Sequence, residues 1–484
     1  MGPDSGPRSR VLTGAGLDRL IAVMAEEQRG EWGSKIGFIL AAAGSAVGLG
    51  NVWKFPYITG ENGGGLFVVV YLVCIAFVGL PIMIGEVMLG RMTKRSAVGA
   101  FRKLSGERSL WQGVGWIGVA AGFVILSYYS VVAGWALQYV VIAAKGEMSS
   151  GDPAAMAERF AAVAGNGPGA IAWHVAFMAV TVGIVIGGVA KGVEVAARVL
   201  MPLLLIMFVA LLGYAMTLDG FGEGLNFVFG LNTDKFSASS VLEALGHSFF
   251  TLSVGMGAML TYGSYLRKDD DIVGAAVAIT VLDTVVALMA CLVLFPITFT
   301  YGMEPTQGPS LVFTNIPMAF ARLPGSTVWA LTFFLLLVFA ALTSAISLLE
   351  VTAAYFIDEL GWSRKLAVPL CGAVIVLLGI PSALAASSHT FGAGMEEAIG
   401  LNWFDLFDYV SSNWMLPLCG LGISVFVAWR LGDEARRVQF EIGSTLGKLA
   451  GAYVVWLQVL RWLVPAAIIV IMLHALGVFE ALAG

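Results

Sequence analysis

The sequence predicts an all-α polytopic membrane protein with about eleven transmembrane helices, of which the first and the sixth are broken. Hydrophobic residues make up 58% of its 484 positions and charged residues only 12%, which is too apolar for an ordinary soluble domain. The apolar stretches are near or above the roughly 20 residues that a helix needs to cross a bilayer. Glycines interrupt two of these stretches, and the interruptions predict the breaks.

The first interruption is the stretch GSAVGLGN, Gly44 to Asn51, inside an apolar segment from Ile36 to Ile58. Glycines weaken a helix, and a hydrocarbon environment strongly penalises each freed backbone N–H or carbonyl. The opened backbone is therefore expected to line a cavity and to hold something polar. A later tetrapeptide, Val254 to Gly257, echoes Val47 to Gly50 in another apolar segment. Such a pair of interrupted segments indicates the midplane substrate site of a secondary transporter.

The chain begins with a polar stretch, residues 1–31, which is expected to form a disordered cytoplasmic tail. Candidate spans follow at about residues 36–59, 66–90, 113–143, 168–190, 196–216, 241–267, 272–301, 326–357, 364–385, 403–430 and 451–478. Most of the 27 Lys and Arg residues fall in the tail and in the loops on its side of the membrane. This bias places the N-terminus in the cytoplasm and, with an odd number of spans, the C-terminus outside. The segment Gly308 to Phe320 is too short to span, so we expect an outer loop with a re-entrant helical piece.

Composition also excludes several classes of function. The net charge of −5 gives no reason to expect a nucleic-acid partner. All four cysteines fall inside apolar segments without a CxxC pair, and we interpret them as small core residues rather than metal or redox groups. The sequence shows no nucleophile elbow, metal-ligand spacing or phosphate loop, so it does not predict an enzyme.

Five ionisable residues lie at membrane depth or at its edge: Lys54, Glu86, Asp283, Glu350 and Asp408. A charge at this depth indicates a functional site, although a structural hydrogen bond between helices is the alternative, above all for Glu86 and Glu350. Asp283 stands alone in AITVLDTVVALMA, with no basic residue nearby. Its compensating charge must come from another helix or from a bound cation, for which carboxylates and carbonyls are suitable hard ligands.

Four long motifs resemble the neurotransmitter:sodium symporter family: WGSKIGFILAAAGSAVGLGNVWKFPY, ENGGGLF, HSFFTLSVGMGAMLTYGSYLRKD and FAALTSAISLLE. The resemblance covers nearly everything from Arg29 to Arg461. It implies two inverted five-helix repeats, at residues 32–217 (helices 1–5) and 218–431 (helices 6–10), followed by a cytoplasmic loop and helix 11 at residues 432–484. Members with eleven helices are mostly bacterial, which implies a multi-pass protein of the bacterial cytoplasmic (inner) membrane.

The resemblance also implies about two sodium ions as coupling ions, with no other cofactor. The first ion would be bound by Ala46, Asn51, Thr251 and Asp283. The second would be bound by Gly44, Val47, Ala340, Thr343 and Ser344. From the residues alone, the hydroxyls in LTSA can reach a broken helix at the midplane, but an isolated hydroxyl on an apolar helix more often bonds to its own backbone.

By the same resemblance, the substrate is an α-amino acid held at the first break. Its carboxylate would rest on the freed N–H groups of Leu49 and Gly50, with the Tyr129 hydroxyl as a third donor. Its ammonium would meet carbonyls of Ala46, Phe250 and Thr251. The side-chain pocket by correspondence consists of Ile125, Tyr129, Phe250, Ser253, Met256, Ser344 and Leu348. These nearly all apolar residues favour a neutral hydrophobic or aromatic side chain.

Two charge pairs would close the pathway, Arg29 with Asp358 on the cytoplasmic side and Lys54 with Asp408 outside. Tyr129 and Phe250 would form an aromatic lid over the substrate. Further residues would support the inner gate, namely Trp32, Ser264, Tyr265 and Glu350. The spacing of Gly192 and Pro202 matches one that the family uses where its fifth helix unwinds to admit water from inside.

The chain departs from the family pattern at three places. Lys54 stands where Arg is usual and lacks its bidentate fork. Met256 replaces a more familiar Phe, and its flexible thioether tolerates varied substrate shapes. Asp283 replaces an Asn of many relatives, and Ala287 lacks the Ser that chloride-dependent members use. A fixed carboxylate at the sodium site would substitute for chloride, so we expect chloride-independent transport.

The resulting prediction is a sodium-coupled symporter that imports a neutral amino acid by alternating access, as a monomer or weak dimer in the lipid bilayer. The alternatives are a channel-like protein, a membrane amino-acid sensor, or a symporter for a non-proteinogenic amino acid or a compatible solute. Charged gates at both ends favour alternating access, because a channel needs only one gate.

Overall fold

A computed structural model of the chain describes residues 30–148, 152–305, 311–321, 325–387, 390–476 and 478. The predicted tail, apart from its last two residues, therefore lies outside the described residues. In chain order the helices are α1 (Lys35–Ala46), α2 (Gly50–Glu61), α3 (Gly65–Thr93), α4 (Ala97–Ser105), α5 (Gln112–Ala144), α6 (Pro153–Gly165), α7 (Gly167–Ile186), α8 (Val189–Ala215), α9 (Phe221–Phe229), α10 (Ala238–Thr251), α11 (Ala258–Gly263), α12 (Ile272–Thr300), α13 (Val312–Ala321), α14 (Ser326–Leu360), α15 (Arg364–Leu384), α16 (Thr390–Ile399), α17 (Trp403–Arg430), α18 (Asp433–Glu441) and α19 (Ala452–Ala475).

The predicted all-α membrane fold is confirmed. Within the described ranges the chain contains helices and no strands, and 9 helices are long and apolar enough to cross a membrane. Helices α1 and α2 form a further span that is bent by 45°. The sixth predicted span corresponds to α10 and α11, which have 14 and 6 residues and lie on either side of a non-helical stretch. The sides of the membrane and the boundaries of the two repeats stay predictions.

Both breaks occur inside the predicted glycine-rich stretches. Helix α1 ends at Ala46, Val47 is extended with φ −74° and ψ 94°, and α2 starts at Gly50. In the second break Ser253, Gly255 and Gly257 all have positive φ, at 52°, 78° and 74°. These values suit glycine and are costly for serine.

The second break is held by a carboxylate from α3. Glu86 Oε1 accepts a hydrogen bond from the Gly255 backbone N at 2.5 Å, and Oε2 accepts one from Leu260 N at 3.3 Å. Glu86 has no exposed surface. A Cβ on Gly255 would lie 2.4 Å from the Leu416 carbonyl oxygen, so only glycine fits there. Glu86 thus makes hydrogen bonds between helices, as the structural alternative expects.

Two predicted boundaries are corrected. The fourth and fifth spans were expected at 168–190 and 196–216, whereas α7 ends at Ile186 and α8 already begins at Val189. The chain turns at Gly188, whose φ of +82° ends α7. Gly192 lies in the wide first turn of α8, and Pro202 sits inside that helix without ending it.

The segment predicted as an outer loop, Gly308 to Phe320, is helical where it is described, in α13. The two broken spans lie inside the bundle. Helix α1 packs against α8, α12 and α14, while α10 and α11 both pack against α3. The long helices α5 and α14 pack against each other along their length. The unpaired backbone of both breaks is thereby buried in protein, as helical membrane proteins require.

Candidate functional site

A small cavity lies between the two breaks and the long helices α5 and α14. Its lining residues are Ser45, Ala46, Gly48, Gly50, Ile125, Tyr129, Phe250, Ser253, Met256, Ser344 and Leu348. All the predicted substrate residues except Leu49 and Thr251 are in this set. Ser45 and Gly48 were not predicted, although both lie in the GSAVGLGN motif that signalled the break.

The backbone of the first break faces the phenol of α5. The Leu49 N–H donates to the Tyr129 hydroxyl at 3.1 Å, so Leu49 contributes through this bond rather than as a wall of the cavity. Because the phenol oxygen accepts here, Tyr129 keeps its own hydrogen to donate. A Cβ on Gly48 would lie 2.3 Å from Ser344 Oγ and 2.8 Å from the Tyr129 hydroxyl. Glycine at position 48 thus keeps this end of the cavity open.

Next to the cavity, three polar side chains of the predicted first sodium site meet. Asn51 Nδ2 donates to Asp283 Oδ1 at 2.7 Å, and Thr251 Oγ1 donates to Asp283 Oδ1 and Oδ2 at 3.0 and 3.2 Å. All three residues are at most 1% exposed. Among the described residues, no Lys or Arg forms an ion pair with Asp283. A buried carboxylate with neutral oxygen-bearing neighbours suits a small hard cation.

The residues of the predicted second sodium site lie close together, and the site itself stays a prediction. Thr343 Oγ1 bonds to its own helix, at 3.0 Å from the Ala340 carbonyl oxygen and 3.1 Å from that of Phe339, and lies 3.5 Å from the Val47 carbonyl oxygen. Ser344 Oγ lies 3.4 Å from the Gly44 carbonyl oxygen. The helix α14 therefore brings two hydroxyls against the carbonyls that the first break has freed.

The Ser45 carbonyl joins this site to the cavity. It accepts hydrogen bonds from Ser344 Oγ at 2.9 Å and from Ser253 Oγ at 2.7 Å. The Ser45 hydroxyl donates to Ser347 Oγ at 2.7 Å. Hydroxyls from α14 and from the second break thus satisfy one freed carbonyl of the first break.

On the predicted outer side, the charge pair is formed. Lys54 Nζ lies 2.7 and 2.9 Å from the two oxygens of Asp408 and 5.0 Å from the centre of the Phe250 ring. Asp408 Oδ1 also accepts from the Tyr128 hydroxyl at 2.9 Å and from Ser412 Oγ at 3.0 Å. Sequence reasoning missed Tyr128 and Ser412, which carry no local signal beyond being polar.

On the predicted inner side, α1 is held to α11. The Trp32 indole N–H donates to the Tyr262 carbonyl at 2.9 Å, and the Trp32 backbone N donates to the Tyr265 carbonyl at 3.3 Å. The Tyr265 hydroxyl donates to Glu350 Oε1 at 2.7 Å. Glu350 also pairs with Arg364, which sequence reasoning missed.

Two further predicted gate residues also make hydrogen bonds. Ser264 donates to the Thr261 carbonyl of its own turn. Asp358 Oδ2 accepts from the Ser96 backbone N at 2.7 Å, at the start of α4. Arg29 lies outside the described residues, so its pairing with Asp358 stays a prediction.

Two broken spans around a buried cavity are typical of a class of secondary membrane transporters. The sequence profile of the sodium:neurotransmitter symporter family matches residues 29–152 and 162–483. The chain belongs to this family, as the motifs predicted.

Individual relatives cover nearly the whole chain. An uncharacterized sodium-dependent transporter of Bacillus subtilis, YhdH, is 38% identical over 94% of this chain and 100% of its own length. An uncharacterized sodium-dependent transporter of Haemophilus influenzae is 33% identical over 93% of this chain and 99% of its own. Among solved structures, that of MhsT in complex with L-phenylalanine matches with a TM-score of 0.86 and 42% identity, over 92% of this chain and 100% of MhsT.

Proposed function

We propose that this protein is a sodium-coupled symporter that imports a neutral, hydrophobic or aromatic amino acid by alternating access. The observation that carries the proposal is the cavity itself. Apolar side chains line one part of it, and the backbone freed at the first break lines another. An α-amino acid has the matching combination of an apolar side chain and a zwitterionic backbone.

The residues at the first break supply the polar recognition. The N–H groups of Leu49 and Gly50 and the Tyr129 hydroxyl would bind the carboxylate, and carbonyls of Ala46, Phe250 and Thr251 would receive the ammonium. Anions are favoured at the N-terminal end of a helix such as α2.

The apolar part sets the class of side chain. Ile125, Met256 and Leu348 offer no charged partner, so a charged side chain would be desolvated there without compensation. The complex of the related MhsT with L-phenylalanine supports an aromatic substrate.

Sodium coupling follows from the position of the two predicted ion sites. One site shares Thr251 and the first break with the substrate, and the other uses Ser344, which also lines the cavity. An ion in either site would order the same backbone that binds the amino acid. Binding of sodium and substrate is therefore cooperative.

Chloride independence rests on Asp283. A sodium ion beside a zwitterion needs one further negative charge to offset its desolvation, and this carboxylate supplies it. We also propose that the protein works in the bacterial inner membrane as a monomer or a weak dimer.

The test is uptake of radiolabelled amino acids into proteoliposomes that contain the purified protein. An inward sodium gradient should drive accumulation of hydrophobic and aromatic amino acids, with competition by the same class and none by charged amino acids. Equal uptake when choline replaces sodium would refute the coupling. Equilibration without accumulation would instead indicate a channel.

A further inference from the structure

A second buried carboxylate, Glu194, lies near the start of α8, on the predicted cytoplasmic side, and takes no part in the sites described above. It is 2% exposed. Its Oε2 accepts a hydrogen bond from the Gly33 backbone N at 2.7 Å. Its Oε1 lies 2.5 Å from Arg198 Nη2, and the Ser34 hydroxyl donates to the same oxygen at 3.4 Å. The four residues link the start of α8 to the start of α1.

The carboxylate sits directly on the N-terminus of α1. Ser34 is the N-cap of this helix, and its hydroxyl accepts from the Gly37 backbone N at 2.9 Å. A Cβ on Gly37 would lie 1.9 Å from Glu194 Oε1, and one on Gly33 would lie 3.2 Å from both carboxylate oxygens. The first turn of α1 has no acidic residue of its own. Glu194 therefore supplies the negative charge that a helix N-terminus favours.

Arg198 completes the contact. Its Nη2 also donates to Ser34 Oγ at 2.8 Å, so one guanidinium bridges the N-cap of α1 and the carboxylate of α8. The Glu194 side chain is 3% exposed and that of Arg198 is 48% exposed. The bonds of the buried carboxylate are shielded from water, which strengthens them relative to surface ion pairs.

This contact is separate from the one made by Trp32. The start of α1 is thus held to α11 through Trp32 and to α8 through Glu194. If the protein works by alternating access, we expect the start of α1 to separate from at least one of these neighbours when the cytoplasmic side opens. The inference about this movement rests on the proposed alternating-access function.

The backbone that carries Glu194 is irregular. The turn before it, Val189–Val193, is wider than an α-helical turn, and Gly188 has a φ of +82°. A Cβ on Gly192 would lie 2.1 Å from the Ile184 carbonyl oxygen. Irregular helical turns of this kind are frequent at functional sites. A change in this turn would move Glu194 away from α1.

We propose that Glu194 and Arg198 form a latch that holds α1 against α8 while the cytoplasmic side is closed, and that the latch must open for substrate release. The latch consists of residues 33, 34, 194 and 198. Breaking it should expose the inner pathway more often without altering the substrate cavity.

The test uses a reporter cysteine, Ser264→Cys, at a fully buried position directly after α11. Labelling by a thiol reagent from the cytoplasmic side is followed in the full-length protein, with the same chain lacking the reporter as background. Glu194→Gln removes the charge with little change of size. Because it weakens charge-assisted hydrogen bonds, it should raise the labelling rate roughly ten-fold or more. Arg198→Ala keeps the Gly33 bond and should raise the rate by a smaller factor.

The matched control is Glu441→Gln, which breaks another i,i+4 ion pair, with Arg437, on the exposed helix α18. This variant should label like the parent. Equal labelling of Glu194→Gln, Arg198→Ala and the control would overturn the latch. The labelling does not depend on transport, so failure of sodium-driven uptake by the wild type refutes the proposed function separately. If Glu194→Gln does not fold, Arg198→Ala decides the outcome alone.

Discussion

Replacing Glu86 is the perturbation with the most direct structural consequence. This carboxylate is fully buried and is the acceptor for two backbone N–H groups of the second break, Gly255 N at 2.5 Å and Leu260 N at 3.3 Å. Glu86→Ala removes both acceptors. Glu86→Gln keeps one carbonyl oxygen but turns an NH₂ group toward the other backbone donor.

The magnitude follows from the two bonds. A hydrogen bond to a charged group contributes about 1.5–3 kcal/mol, and a buried donor left without an acceptor costs about 1–3 kcal/mol. Loss of both bonds in Glu86→Ala should therefore destabilise the folded break by roughly 3–6 kcal/mol, and Glu86→Gln by roughly half of that. Since Ser253 and Met256 of this break line the cavity, substrate affinity should fall in the same order.

The assay combines thermal unfolding of the purified protein with equilibrium binding of labelled amino acid in sodium. The melting temperature and the substrate affinity should both be highest for the wild type, lower for Glu86→Gln and lowest for Glu86→Ala. The matched control is Glu441→Gln, because Glu441 pairs with Arg437 on α18, outside both broken spans. That variant should bind substrate like the wild type. Wild-type affinity and stability in both Glu86 variants would show that this carboxylate does not hold the break.

Three other predictions concern substrate choice, gating and the ion requirement. Met256→Ala should favour bulkier aromatic substrates, and Met256→Phe should favour smaller aliphatic ones. If both variants keep the wild-type order of competition among amino acids, Met256 does not line the pocket. Lys54→Arg should stabilise the closed outer gate by about 1 kcal/mol through a bidentate pair with Asp408, which accessibility labelling of the outer vestibule measures against wild type. Wild-type uptake should persist when gluconate replaces chloride, whereas Asp283→Asn with Ala287→Ser should need chloride. A wild type that stops in gluconate, at constant sodium and pH, would contradict the role of Asp283.

The sequence alone determined the features that depend on local composition. The apolar stretches predict helices in a bilayer because hydrocarbon leaves no other way to pair their backbone groups. The glycines of GSAVGLGN and SVGMG predict the two breaks, and both occur there. The isolated Asp283 predicts a polar site at membrane depth, and the structure surrounds it with Asn51 and Thr251.

Only the tertiary structure decided which distant groups become partners. Nothing near Glu86 in the chain indicates that it binds the backbone at Gly255, and nothing near Glu194 points to the start of α1. The same holds for Arg364, which pairs with Glu350 across a change of helix. Helical periodicity fixes which face of a segment is polar or apolar. The neighbour that this face meets is set by the packing of many helices together, a property that no short stretch of the sequence contains.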